Sequence, residues 1–137
     1  IASCLVGSEM CIRDSAPSAQ MIHSLLTALN QNDADTALHS LHLAEEQHTD
    51  AYIFMQMLIH SIRSILHIRF SPQMKDILKK DLGEDEFNFL STLAQEKNNI
   101  HSGLLSQLLS AYAQMNSAYL KYTPIELAIL KMIGNNS

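Results

Sequence analysis

The chain has 137 residues, 47% of them hydrophobic, and its 14 Asp and Glu outnumber nine Lys and Arg, for a formal net charge of −5. Such an acidic chain is a poor candidate for direct nucleic-acid binding, because affinity for phosphate backbones comes mainly from Lys and Arg. No apolar run approaches the ~20 residues that cross a bilayer, so no membrane is expected.

The first residues are set apart from the rest. Residues 4–14 resemble a translated sequencing adapter, a string that recurs at the ends of unrelated gene models, and the start at Ile1 fits a gene fragment. A disordered leader is the alternative. A signal peptide is excluded, because Glu9, Arg13 and Asp14 crowd the short apolar run and no basic segment precedes it.

We therefore predict an artefactual or disordered leader over residues 1–15 and one domain over residues 16–137. Both cysteines, Cys4 and Cys11, lie in the leader, so the domain has no thiol for a disulfide or a metal. This suits a cytoplasmic protein. About 120 residues are enough to bury about two-thirds of the unfolded surface in a single core.

Two helices are predicted in the first third of the domain. The first follows Pro17-Ser18 and ends in a polar turn over residues 30–33, and the second runs from about Ala34 to Gln47. Their inward positions recur at helical spacing, and they are Ile22, Leu25, Leu26 and Leu29, then Ala37, Leu38, Leu41 and Ala44.

The third helix is the longest, from about Ala51 to Phe70, and either Thr49 or Asp50 can cap it. Its apolar residues follow a 3.6-residue period over five turns, at Phe54, Met57, Leu58, Ile62, Ile65 and Leu66. Three further apolar residues make this stripe broader: Ile53, Ile59 and Ile68. A helix this apolar should contact neighbours on more than one side, so we place it at the centre of the fold.

Ser71-Pro72 ends that helix and starts a short one to Leu82, which Gly83 terminates. Three acids open the next helix, where they complement the helix dipole, and Asn98-Asn99 follows it. A further helix is predicted from about Ser102 to Lys121. The apolar residues of these two helices are Phe87, Leu90, Leu93 and Ala94, then Leu104, Leu105, Leu108, Leu109, Tyr112, Met115 and Tyr119.

The closing helix has the clearest start signal. Thr123 is predicted as its N-cap, Pro124 as its first helical residue and Glu126 as the carboxylate of a capping box. Its inward face comprises Ile125, Ala128, Ile129, Met132 and Ile133, and Gly134 stops it. Six or seven helices joined by short loops predict an all-α fold, a single antiparallel helical bundle.

Histidines are the best candidates for a metal site. Glu45-x-x-His48 matches the Glu-x-x-His element of di-iron bundles, and His39 and His42 lie close by in sequence. Such bundles need the element twice, and no other histidine has a Glu three residues before it. We expect a solvated polar face, with a metal-binding bundle as the weakest alternative. No phosphate-binding glycine loop or paired nucleophile occurs, so no cofactor and no catalytic activity are expected for these residues.

Two residue types have alternative interpretations. Arg63 and Arg69 lie on the otherwise apolar third helix, either with their charged heads in water or in ion pairs that orient a neighbouring subunit. The methionines are either core filling or an adaptable contact surface. They are Met55, Met57, Met74, Met115 and Met132.

Five segments, in this order and spacing, are similar to the third domain of the gamma/tau subunit of the bacterial DNA polymerase III clamp loader, and together they extend over most of residues 18–134. The segments are Asn32-Asp33-Ala34 with Ala37-Leu38; His48-Thr49-Asp50 with Phe54 and Leu58, where His48 replaces the family's glycine; Leu58, Arg63, Ile65, Leu66 and Arg69; Leu104, Leu108 and Leu109; and Pro124, Glu126, Leu127, Ala128 and Leu130.

The resemblance implies a collar domain that joins gamma/tau copies with the delta and delta-prime subunits in a hetero- and homo-oligomer, for sliding-clamp loading in DNA replication. ATPase machinery would lie in an upstream part of the full-length parent. An asymmetric ring implies head-to-tail contacts. The candidate interface residues are Arg63, Arg69, Leu108, Tyr112, Met115 and Tyr119. The alternative is a stand-alone helical adaptor or signalling bundle that binds a partner helix in a groove.

Overall fold

The computed structural model describes residues 19–96 and 100–134, which form seven α-helices and no strand. The helices are α1 (Ala19–Asn30), α2 (Ala34–Glu46), α3 (Ala51–Phe70), α4 (Lys75–Leu82), α5 (Glu84–Glu96), α6 (Ser102–Gln114) and α7 (Thr123–Gly134), with 3₁₀ turns at Pro72–Met74 and Met115–Ser117. The predicted all-α bundle is confirmed. The predicted leader and the Asn98-Asn99 loop lie outside the described residues.

Helix α3 is the centre of the bundle, and both of its predicted ends are confirmed. The Asp50 carboxylate accepts hydrogen bonds from the backbone N–H groups of Tyr52 (2.8 Å) and Ile53 (3.1 Å). Pro72 follows the last turn and cannot continue the hydrogen-bond ladder. The helix packs against α1, α5 and α6. Its fully buried side chains are Phe54, Met55, Leu58, Ile62 and Ile65.

The remaining helices surround α3. Helix α2 packs against α1 and α7, α6 pairs with α7, and α4 packs against α5. Leu38, predicted to point inward, is only partly buried, whereas Ala37, Leu41 and Ala44 are buried as predicted. Within the described ranges, no helix combines the length and the apolar character needed to cross a bilayer.

Helices α1 and α2 end in the same way, each with a non-glycine residue in the left-handed region. Asn32 has φ 57° and His48 has φ 59°. After His48, the Thr49 N–H donates to the Ala44 carbonyl at 3.0 Å, the pattern of a Schellman motif. His48 therefore adopts the backbone that its family's glycine would favour, in a region where a side chain costs about 1–2 kcal/mol.

Helix α6 is shorter than predicted. It ends at Gln114, a 3₁₀ turn follows, and Ala118 is extended, so the helix does not reach Lys121. The chain leaves the helical path between this turn and α7. The Lys121 ammonium group donates hydrogen bonds to the carbonyls of Met115, Asn116 and Ala118, which would otherwise accept bonds within a longer helix.

Helix α7 begins one residue earlier than predicted. The Glu126 N–H donates to the Tyr122 carbonyl at 3.0 Å, so Tyr122 is the N-cap and Thr123 is the first helical residue. Among the described residues, none receives a hydrogen bond from the Thr123 side chain or donates one to it. Pro124 then occupies the second helical position and Glu126 the fourth, one residue too far along for a capping box. The side chain at this N-cap position, Tyr122, is buried.

Candidate subunit-contact surface

The segment from residue 98 to residue 120 contains no Asp, Glu, Lys or Arg. Its described part, residues 100–120, supplies α6 and the turn that follows, and that turn presents apolar side chains to solvent. Tyr119 is 97% exposed, and Leu120, Leu127 and Leu130 are exposed beside it or on the outer side of α7. These four residues are named the Tyr119 face. Exposed apolar patches of this kind mark sites where other proteins pack, and interface centres are depleted of charge.

The Tyr119 face is concave at one end. A cavity of about 600 Å³ lies between the turn and the start of α7. Its lining consists of Gln114, Ser117, Ala118, Tyr119, Leu120, Thr123, Pro124 and Leu127, none of them charged. An apolar side chain of another protein can enter this cavity without removing water from an ionised group, which is the condition for a favourable contact.

Lys121 holds the turn in place. Its ammonium group donates to the carbonyls of Met115 (2.8 Å), Asn116 (3.2 Å) and Ala118 (3.0 Å), so all three of its N–H donors are used. Hydrogen bonds from a charged donor are stronger than those between neutral groups. The backbone that carries Tyr119 is therefore ordered before any partner arrives.

Tyr122 fixes the other side of the same turn. It is 5% exposed, its hydroxyl donates to the Thr49 carbonyl at 2.7 Å, and its ring meets that of Phe54 edge-on with the centroids 5.9 Å apart. Burial raises the pKa of Tyr122 above its ordinary value, and the negative charges of Asp50 and Glu45 raise it further. The hydroxyl consequently remains a neutral donor over the whole physiological range.

A second concave surface lies between α3 and α6. It has a volume of about 270 Å³ and is named the Arg63 groove. The residues that line it are Gln56, Ile59, His60, Arg63, Leu109 and Tyr112. Leu109 and Ile59 are apolar, whereas Arg63 and His60 are exposed on the rim. The groove therefore combines an apolar contact area with a cation.

Tyr112 is anchored at one edge of this groove. Its hydroxyl accepts a hydrogen bond from the Gln56 amide at 3.0 Å, and its ring stands edge-on to Tyr52 with the centroids 6.2 Å apart. Tyr52 in turn donates to the Asn116 side-chain carbonyl at 2.9 Å, at the start of the Lys121 turn. The groove is thus linked to the start of the Lys121 turn by two hydrogen bonds and one ring contact.

Arg69 has an internal role that neither sequence interpretation anticipated. Its guanidinium donates to the carbonyl of Ala94 at 3.0 Å and to that of Ile100 at 2.6 Å. These carbonyls lie at the end of α5 and just before α6, so the side chain ties α3 to the connection between those helices. Arg69 is therefore not a surface residue with its head in water.

Two further interface candidates are core residues. Leu108 and Met115 are both 0% exposed, so neither reaches the surface of the domain. Leu108 lies on the inward side of α6 and Met115 begins the 3₁₀ turn that follows it. The apolar period of the sequence runs through both residues and does not show which of its members face outward. Of the six predicted residues, Arg63, Tyr112 and Tyr119 are accessible, and their contact with another subunit remains a prediction.

The sequence predicts Leu, Ile and Tyr side chains of the last two helices at subunit contacts in general, but Leu120, Leu127 and Leu130 are not among the six named candidates. The signal was available for α7, because Leu127 and Leu130 fall outside the inward positions predicted for that helix. Large apolar residues that cluster on the outer side of an amphipathic helix are typical of a contact surface. No comparable signal existed for Leu120, which precedes the helix.

The predicted polar face around the histidines of α2 is exposed. His39, His42, Glu45 and His48 all face solvent, and His42 Nε2 lies 3.4 Å from Glu46 Oε1. In the described ranges, no three His, Cys, Asp or Glu side chains are grouped as the ligands of a metal ion would be.

Comparison with known proteins gives one finding. Residues 17–137 match the family model described as DNA polymerase III subunits gamma and tau domain III, which confirms the resemblance found in the sequence. Neither the search of curated proteins nor the search of solved structures returns a match. Because the family match covers almost the whole chain, the chain belongs to the family of domain III of the DNA polymerase III gamma and tau subunits.

Proposed function

We propose that this domain is the subunit-assembly, or collar, domain of a DNA polymerase III gamma/tau clamp-loader subunit. In this role it binds other gamma/tau copies and the delta and delta-prime subunits, and so supports loading of the sliding clamp in DNA replication. The domain contributes contacts rather than chemistry.

One observation carries the proposal: an ordered turn presents an almost fully exposed tyrosine next to three exposed leucines. Tyrosine is enriched among the residues that dominate interface energies, and it loses little side-chain freedom on binding. The hydrogen bonds of Lys121 order the backbone beforehand. This preorganisation reduces the entropy lost on association.

Native mass spectrometry tests the proposal. The chain is measured alone and after mixing with delta and delta-prime collar domains from a close bacterial relative. We expect stoichiometric complexes with the wild-type chain and their loss with Tyr119→Ser. Phe70→Ser is the matched control, because Phe70 is also a highly exposed aromatic (74%) but lies at the end of α3.

Two results would contradict the proposal. A wild-type chain that stays monomeric in every mixture would favour the adaptor bundle instead. Complexes that survive Tyr119→Ser but are lost with Phe70→Ser would place the contact surface at the α3–α4 end of the domain.

A further inference from the structure

Acidic and basic residues are separated along the chain. Residues 19–50 contain five carboxylates and no Lys or Arg, and residues 51–75 contain three cations and no Asp or Glu. The carboxylates are Asp33, Asp35, Glu45, Glu46 and Asp50, and the cations are Arg63, Arg69 and Lys75. The separation places unlike charges on different helices.

The acidic part has an exposed helix face. Asp35, His39, His42, Leu43 and Glu46 recur at helical spacing on the outer side of α2, and all five are exposed. We name these residues the α2 face. Leu43 places an apolar side chain beside the carboxylates.

Two acids of this region are engaged as helix caps. Asp33 accepts from the Thr36 backbone at 3.2 Å and from the Thr36 hydroxyl at 2.6 Å, and Asp50 caps α3. The Glu46 carboxylate, whose side chain is 61% exposed, lies 3.4 Å from the ring of His42, whose side chain is 64% exposed. Glu46 is therefore accessible to a cation on another molecule.

The basic part offers a cation in a concave setting. Arg63 is exposed on the rim of the Arg63 groove and forms no ion pair within the described residues. Helices α3 and α6, which form the walls, contain no Asp or Glu at all. An incoming carboxylate would meet no like charge from these helices, and Leu109 would be available to an apolar side chain.

These two surfaces lie on different parts of the bundle. The α2 face belongs to a helix that packs against α1 and α7, whereas the groove lies between α3 and α6. One copy can therefore use both surfaces at once. That is the requirement for a head-to-tail contact, in which two different patches meet.

We propose that the α2 face of a second copy of this chain docks in the Arg63 groove, with Glu46 of that copy paired to Arg63 and its Leu43 packed against Leu109. The inference rests on the proposed assembly function, and it specifies the two surfaces through which copies of this chain contact each other. Charge complementarity selects the occupant, because this chain itself carries an acidic helix face with one exposed leucine. Such complementarity fixes the register of an interface and favours the correct partner.

Charge reversal tests the inference in the full chain. Self-association is measured by sedimentation velocity at about 0.05 M and about 0.5 M NaCl, since salt screens exposed charges. We expect Arg63→Glu and Glu46→Arg each to weaken self-association at least about tenfold at low salt, and an equimolar mixture of the two variants to recover it. Circular dichroism checks that each variant is folded.

The matched controls carry the same charge changes elsewhere. Lys75→Glu on α4 and Asp85→Arg on α5 both alter exposed residues outside the two surfaces, and they should leave self-association within about twofold of wild type.

The failures of the two proposals are distinguishable. If Arg63→Glu and Glu46→Arg associate like wild type, or if their mixture recovers nothing, the docking arrangement is overturned and the assembly function stands. If the wild-type chain does not self-associate but binds delta or delta-prime, the same conclusion follows. If it binds neither itself nor those subunits, both proposals are overturned.

Discussion

Two tyrosines on opposite sides of one turn have contrasting surroundings, since one is held in the core and the other lies almost fully in solvent. Tyr122 is 5% exposed and donates a hydrogen bond to the Thr49 carbonyl, whereas Tyr119 is 97% exposed and has no hydrogen-bond acceptor among the described residues. The inner side of the turn is tied to the corner between α2 and α3. The outer side presents this tyrosine and the leucines beside it largely to solvent, which is the basis for proposing a contact surface there.

Of the substitutions that test this difference between the two sides, removal of the Tyr122 side chain should lower the free energy of unfolding most. Tyr122→Ala leaves a cavity against Phe54 and a buried Thr49 carbonyl without its donor. We expect a loss of about 3–5 kcal/mol in the free energy of unfolding, measured by urea denaturation. A loss below about 1 kcal/mol would mean that the turn is not anchored in the core.

Substitution of Lys121 should have the next largest effect, because its hydrogen bonds hold the backbone of the turn between the inner and outer sides. Lys121→Met retains the length of the side chain but removes the donor to three carbonyls. We expect a loss of about 2 kcal/mol in the free energy of unfolding. Lys131→Met, at an exposed position on α7, should change it by less than about 0.5 kcal/mol. Equal effects of the two substitutions would contradict the role of Lys121.

The two helix starts near Tyr122 should respond differently to loss of a polar side chain. Asp50→Ala removes a cap that accepts two backbone hydrogen bonds and should lower stability by about 1 kcal/mol. Thr123→Ala removes a hydroxyl that caps nothing in the described structure and should change stability by less than about 0.5 kcal/mol. Thermal melting of both variants decides the matter, and the reverse order would restore Thr123 as the cap of α7.

Alkaline pH should weaken the anchoring of the inner side by Tyr122. The pKa of Tyr122 is raised in the folded state by burial, so the unfolded chain releases this proton first, near the ordinary value of 10.0. Its contribution is therefore fully present below pH 10 and is lost as pH rises toward the folded pKa. Melting temperatures across this range should fall more steeply for the wild-type chain than for Tyr122→Phe. If the melting temperatures of the two proteins fell in parallel with pH, the pKa of Tyr122 would not be raised in the folded state.

The smallest effect on stability is expected on the outer side. Tyr119→Ala should change the free energy of unfolding by less than about 0.5 kcal/mol, because the side chain is almost fully in water already. Chemical denaturation of the monomer at low concentration measures this. A clear loss would show that Tyr119 packs within the domain and would remove the basis for the contact surface.

The bounds of a helix were predictable where a capping residue or a proline occurs at the ends of a segment whose apolar residues follow helical spacing. Helix α3 has the predicted bounds because Asp50 supplies a cap at one end and Pro72 stops the ladder at the other. The end of α6 could not be predicted in this way, since no Gly or Pro marks it. Its stop comes from Lys121, which reaches back three to six residues to carbonyls, and such a contact leaves no periodic signal.

The candidate surface was predictable only in part. The spacing of apolar residues identifies one face of a helix, but it does not distinguish residues of the domain core from residues that contact another protein. Leu108 and Tyr112 lie one turn apart on α6, yet the first is fully buried and the second lines a groove. Arg69 and Arg63 look alike in sequence, and only the structure shows that Arg69 is bound to backbone carbonyls. His48 shows the converse, since it adopts a left-handed backbone without being a glycine.

The separation of acidic and basic surfaces also determines how a row of copies would end. In an open row, copies joined through the α2 face and the Arg63 groove would leave one α2 face unused at one end and one groove unused at the other. The two ends are chemically unlike, one acidic and one cationic. A terminating protein that fits one end is repelled by the other, so two different end subunits can close the same row without exchanging places.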